Sequence, residues 1–178
     1  MPGKGLQKVQ KQIAKKKGRN TVLHEHSRDT QRLQRASARD DKIIRLTSLR
    51  NKQNRPYVDR VNLIKTEVGE KTTLSHTEIH AIIEKFLRRD DDELATIQAE
   101  RRPGRPASNR EGQLKERQKL EMREYDSGFW MPDLEDAANV KLLKDWEGQW
   151  VGLNTMKFVR MEKSGTRHES SYPPKGQS

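Results

Sequence analysis

Two groups of side chains in this sequence are of the types that bind metals or move protons. His76 and His80 stand four residues apart, so on a helix they share a face. Asp90, Asp91 and Asp92 are consecutive carboxylates. Neither group completes a site. The histidines have no Glu-x-x-His frame and no third ligand. Successive carboxylates on a helix diverge by about 100°, and the glycine turn of a calcium loop is missing. The aspartates are instead expected to pair with arginines or to cap a fresh helical turn near Asp91. The chain has no cysteine, which removes thiolate nucleophiles, disulfides and cysteine zinc sites together. It also lacks a glycine-rich phosphate loop and a serine elbow. No catalytic residue, metal, cofactor or small-molecule substrate is expected, and the reading is of a protein that is not an enzyme.

The abundant chemistry is that of cations facing phosphate. Residues 1–65 hold 18 Lys and Arg against 5 Asp and Glu, while residues 66–178 hold 19 against 21. The net charge of +11 is therefore carried by the first third of the chain. Such a split reads as a polyanion-binding arm joined to a nearly neutral docking module. The candidate RNA contacts in the arm are Lys8, Lys11, Lys15, Lys16, Lys17, Arg19, Arg28, Arg32, Arg35, Arg39, Arg45 and Arg50, within a footprint running from Lys4 to Arg60. A second, local patch adds Arg101, Arg102, Arg105 and Arg110. Its Arg102-Pro103-Gly104-Arg105-Pro106 centre has three readings: an AT-hook-like insertion into the DNA minor groove, an RNA or ribosomal surface contact, or a plain connection between helices.

Helices must position these groups. Residues 1–20 place Leu6, Val9 and Ile13 at helical spacing, but with too little apolar contact to hold a helix alone in water. From Arg28 to Asn54 a thin apolar side (Leu33, Ala36, Ile43, Leu46, Leu49), interrupted at Asp40, accompanies the arginines. Pro56 should end that helix or stand early in the next, and Tyr57, Val61, Ile64 and Val68 should build a second helix stopping near Gly69. Ser75 with Glu78 and Ser108 with Glu111 form capping boxes, the first opening the strongest apolar stripe in the chain, Ile79 to Leu87. A further helix runs from Leu134 to Trp146, where the tryptophan packs. Phe129, Trp130 and Trp150 are candidate protein-docking residues, the first two also reading as core. Residues 148–161 alternate only partly, which leaves a hairpin or a loop with a short helix open.

The expected fold is all-α: a small irregular helical bundle with a basic extended N-terminal arm and a disordered C-terminal tail. Its parts would be a basic extension (1–27), an arginine-rich helical arm (28–69), a helical docking module (75–161) and the tail (162–178). With 30% of residues hydrophobic and 35% charged, one core shared by every segment is not expected. The first twenty residues have no apolar stretch, so neither a secretory signal nor a membrane span is expected there.

An ordered set of motifs runs through the neutral part: Arg89-Asp90-Asp91 leading to Glu93-Leu94, Arg101 to Pro106 with Ser108 and Arg110, and Gly128-Phe129 with Pro132-Asp133-Leu134. After these come Asn139, Leu143, Trp146, Gly148 and Leu153-Asn154-Thr155. Together with the lysine-rich start and the arginine-rich helix, these resemble the fungal translation machinery-associated protein 16 family over roughly residues 1–161. The resemblance implies a small, mostly helical, non-enzymatic ribosome biogenesis factor on nuclear pre-60S particles. Implied partners are large-subunit rRNA, ribosomal proteins and other pre-60S assembly factors, in the nucleus or its nucleolus, and without cofactor or membrane. The alternatives are a factor bound to mature cytoplasmic ribosomes and a DNA-binding chromatin protein acting through Arg102 to Pro106.

Overall fold

The break expected at Pro56 is absent, and one helix, α2 (Arg28–Val68), passes through it. Proline there removes a backbone donor and forfeits one intrahelical hydrogen bond. Burial compensates on its C-terminal side, where Val61, Ile64 and Val68 are enclosed. The helix stops where expected, at Gly69 with φ +54°. The computed structural model describes residues 4–18, 23–102 and 104–174. It divides into two compact units, Met1–Pro56 and Tyr57–Ser178, so the division falls within the stretch expected to be a single helical arm.

In the first unit the N-terminal segment is a helix, α1 (Lys4–Lys17), and not an extended arm. No acidic residue stands in its first turn. That role falls to Asp40, the residue that interrupts the apolar side of α2: it is buried and accepts the Leu6 amide hydrogen bond at 2.9 Å. Gly5 makes the approach possible, because a Cβ there would lie 2.9 Å from the Asp40 Oδ1. Lys17 pairs with Asp29 at 2.8 Å, the Arg32 guanidinium donates to the Gln12 Oε1 at 2.8 Å, and Ile13 is buried. Contacts of this kind supply what 14 lysine-rich residues lack in isolation.

The second unit overturns the all-α expectation. Besides α3 (His76–Leu87), α4 (Asp91–Glu100), α5 (Asn109–Ser127) and α6 (Ala137–Asp145), it contains a three-stranded antiparallel sheet. Its strands are β1 (Phe129–Pro132), β2 (Phe158–Met161) and β3 (Arg167–Ser170), with β2 in the middle. Phe129 faces Met161 and Pro132 faces Phe158; Met161 in turn faces Arg167. The reasons the sheet escapes a sequence pattern are physical. All four residues of β1 are buried, so its side chains show no alternation, and its partner lies far along the chain beyond α6 and a 3₁₀ turn (Trp150–Thr155). β3 is polar and owes its conformation to pairing with β2 across a turn in which Gly165 has φ +89°. The segment expected to be a disordered tail is consequently held. The Arg167 guanidinium reaches Asp133 at 2.6 Å and Glu135 at 2.9 Å, and the Tyr172 hydroxyl donates to the Trp150 carbonyl at 2.6 Å.

The core of this unit joins the buried end of α2 to α3, α6 and the sheet, with Trp130 stacked on Phe158 at 4.3 Å and Tyr57 edge-on to Trp130 at 5.4 Å. Two polar side chains are built into it. Arg60 makes paired hydrogen bonds of 2.7 and 2.6 Å with Glu124, donates to the Trp130 carbonyl at 3.1 Å, and lies 4.2 Å from the centre of the Phe129 ring. The Asn139 amide donates to the carbonyls of Asp133 and Lys157 and accepts from the Lys157 amide, tying the start of α6 to the entry of β2.

Removing one member of a buried pair strands the other, so Arg60→Met should lower unfolding stability by about 2–3 kcal/mol. The double variant R60M/E124L should recover most of that loss in denaturant titrations, and a purely additive cycle would contradict the pairing. Glu78 accepts from Lys71 at 2.6 Å and from the Ser75 amide at 2.9 Å, and these bonds hold its carboxyl down at about 2. A depressed folded-state value contributes stability above the ordinary carboxylate range that is lost as pH falls toward 2. Glu78→Gln should therefore flatten the stability profile between about pH 4.5 and 2 while leaving its slope near neutrality unchanged.

Candidate nucleic-acid interface

The helical repeat sorts the cations of the first unit. Lys8, Lys11 and Lys15 follow one another at spacings of three and four on α1, and with Gln7 and Gln12 they line a concave surface of about 410 Å³. Arg28, Arg32 and Arg35 do the same on the opening turns of α2, lining with Gln31 a hollow of about 520 Å³. All six are exposed, and among the described residues only Arg32 has a hydrogen-bonded partner. Lys16 is exposed, and Lys17 is engaged with Asp29. Arg39, Arg45 and Arg50 continue along α2, exposed and without an ion pair among the described residues. Arg19 lies outside the described residues. Arg60, the last residue of the expected footprint, is withdrawn into the interior and occupied by Glu124.

The second patch is divided by its own carboxylates. Arg110 makes paired hydrogen bonds of 2.7 and 2.9 Å with Glu93, raising the guanidinium value and lowering that of the carboxyl. Arg101 lies 3.2 Å from Glu111. Glu111 does not close a capping box as Glu78 does: Ser108 accepts its amide at 3.1 Å, but its carboxylate is turned inward to Arg101 and Lys115. The hydrogen bond from Lys115, 2.6 Å long, is the main cause of its lowered value, which prevails over the opposing effect of burial. Arg102 and Arg105 remain exposed and have no ion pair among the described residues. The hollow of about 630 Å³ at this loop thus presents two uncompensated guanidiniums beside one already paired.

The other carboxylates and histidines have local partners. Asp90 is paired with Arg89 and Arg117, Asp91 accepts from Gln118, and α4 starts at Asp91. His76 contacts Glu135 and His80 contacts the Tyr125 hydroxyl, each at 2.6 Å, so the two imidazoles serve separate contacts. Among the described residues no group of three or more His, Cys, Asp or Glu converges as a metal site, and no helix is long and apolar enough to cross a membrane. Phe129 and Trp130 are 0% and 1% exposed, so neither offers a surface for docking; both are spent on the core around Arg60 and Phe158. Trp150 is half-buried between Tyr57 and Tyr172. Asp40, Arg60 and Asn139 went unread as organising residues. Asp40 left a trace in the sequence as a carboxylate where an apolar residue was due, and Asn139 as a member of the ordered motif set.

The profile of the translation machinery-associated protein 16 family matches residues 19–163 of this chain. The chain belongs to that family. Translation machinery-associated protein 16 of Saccharomyces cerevisiae is 35% identical over 167 residues, covering 91% of this chain and 93% of that protein. Its namesake in Danio rerio is 25% identical over 158 residues, covering 85% of this chain and 80% of the relative. For Xenopus laevis the values are 25% over 155 residues, 84% and 79%.

The division of arginines can be read directly by timed modification with phenylglyoxal and peptide mapping. Arg35, Arg39, Arg45, Arg50, Arg102 and Arg105 should react first, Arg101 and Arg110 more slowly, and Arg60 only on unfolding. Early modification of Arg60 in the folded protein would contradict its buried ion pair.

Proposed function

We propose that this protein is a ribosome biogenesis factor that associates with nuclear pre-60S particles through rRNA and ribosomal-protein contacts, beside other assembly factors. Membership of the translation machinery-associated protein 16 family supports the general role with the translation machinery. The observation that carries the RNA reading is the pair of concave cationic surfaces in the first unit, Lys8–Lys11–Lys15 and Arg28–Arg32–Arg35. Lysines and arginines set at one helical turn and left without carboxylate partners are suited to successive phosphates, which they neutralise with release of counterions. Arg102 and Arg105 add a local contact in the second unit. The action is steric: the factor occupies a surface of the precursor until maturation favours its release, in the nucleus with the nucleolus included.

Binding of a large-subunit rRNA fragment should weaken linearly on a log–log salt plot, and the triple variant K8E/K11E/K15E should reduce that slope by about 2. R102E/R105E should have the smaller effect. Were the protein a chromatin factor acting through Arg102 to Pro106, the order would reverse and duplex DNA would bind more tightly than rRNA. In cells, crosslinked RNA should include precursor spacer sequence; recovery of mature cytoplasmic rRNA alone would favour the rival in which the factor rides on finished ribosomes.

A further inference from the structure

The middle of α2 is unlike its ends. Ten consecutive residues, 41–50, are exposed, and they include Ile43, Ile44, Leu46 and Leu49 at 44%, 45%, 41% and 50%. Leu33 and Ala36, about three and two turns before Ile43 on the expected apolar side, are half-buried, so the stripe begins against the protein and then runs out over solvent. At about 100° per residue, Ile43, Leu46 and Leu49 fall within an arc of about 120°, and Arg39, Lys42 and Arg50 fall within the same arc. None of these cations has an ion pair among the described residues, and Asp41 is the single acidic residue in the ten.

We propose that this face, Arg39 to Arg50, is a docking surface for a protein partner that presents an aliphatic groove rimmed by Asp and Glu. The aliphatic residues argue for protein over RNA. Single-stranded RNA is held on aromatic platforms, and residues 31–56 contain no Phe, Tyr or Trp. A phosphate backbone satisfies the guanidiniums but leaves Ile43, Leu46 and Leu49 in water, whereas an apolar groove covers them in the manner of an amphipathic helix laid into its receptor. The cations fix the sign of the rim. They also exclude a second copy of the same face, since two such faces would bring Arg39, Lys42 and Arg50 against their own kind. This inference goes beyond the RNA reading, because it assigns the middle of α2 to protein and leaves the phosphate contacts to α1 and the first turns of α2.

The test is site-specific photocrosslinking of the full chain in cells, with p-benzoyl-phenylalanine at Leu46 in one strain and at Lys15 in another. The Leu46 probe should join one protein segment that is net acidic and contains aliphatic residues. That crosslink should fall at least about tenfold when Ile43 and Leu49 are replaced by serine, as expected for the loss of central apolar contacts. It should also fall in R39E/R50E. Both variants change exposed positions, and unchanged helicity by circular dichroism confirms that they fold. A Leu46 crosslink to RNA, to this same chain, to a neutral or basic segment, or to nothing would overturn the docking surface. The Lys15 probe reads the other question separately: rRNA there with protein at Leu46 supports both readings, and protein at both sites sinks the RNA reading alone.

Discussion

The second unit is organised around one buried ion pair. Arg60 enters from α2 and meets Glu124 near the end of α5, while the same guanidinium donates to the Trp130 carbonyl of β1 and lies over the Phe129 ring. Glu124 closes the circuit by accepting the Trp130 amide at 3.2 Å. Two helices and a strand are thereby fixed by one planar side chain whose fork matches a carboxylate. Such a pair adds little net stability over an apolar replacement, because desolvation consumes most of the attraction. Its contribution is to register: the aromatic side chains beside it can pack only where the fork lets them, with Trp130 flat on Phe158 and Tyr57 at its edge.

The same logic recurs at Asn139 and Arg167. One amide side chain satisfies backbone groups from two segments that share no sequence pattern, and so β2 can begin where α6 requires it. One guanidinium reaches across to Asp133 and Glu135 and keeps the polar β3 at the sheet margin, where the Tyr172 ring stacks on Phe158. Polar side chains do the joining in this unit, and apolar residues fill the space they define.

The first unit follows a different economy. Its one buried carboxylate, Asp40, serves the start of α1, and most of its cations have no carboxylate partner among the described residues. In the second unit the situation is reversed: Arg60, Arg89, Arg101, Arg110 and Arg167 are all paired. Counting charges along the chain therefore understates the contrast between the two. An arginine held by glutamate contributes little outward field, so the outward positive potential is concentrated in α1, in the open length of α2, and at Arg102 and Arg105.

Helix positions were legible wherever the signal was local. Ser75-His76-Thr77-Glu78 marked the start of α3, the Ile79 to Leu87 stripe marked its buried face, Gly69 marked the end of α2, and the consecutive aspartates Asp90 to Asp92 marked the start of α4. These depend on side chains within one or two turns of each other. The exposed lysines and arginines were legible as well, since charge needs no partner to be counted. The continuity of α2 through Pro56, the three-stranded sheet, the burial of Arg60, Phe129 and Trp130, and the ordering of residues 162–174 were decided by tertiary structure. Each rests on a contact between residues far apart in the chain, and a strand such as Arg167–Ser170 has no preference of its own until β2 lies beside it to take its hydrogen bonds.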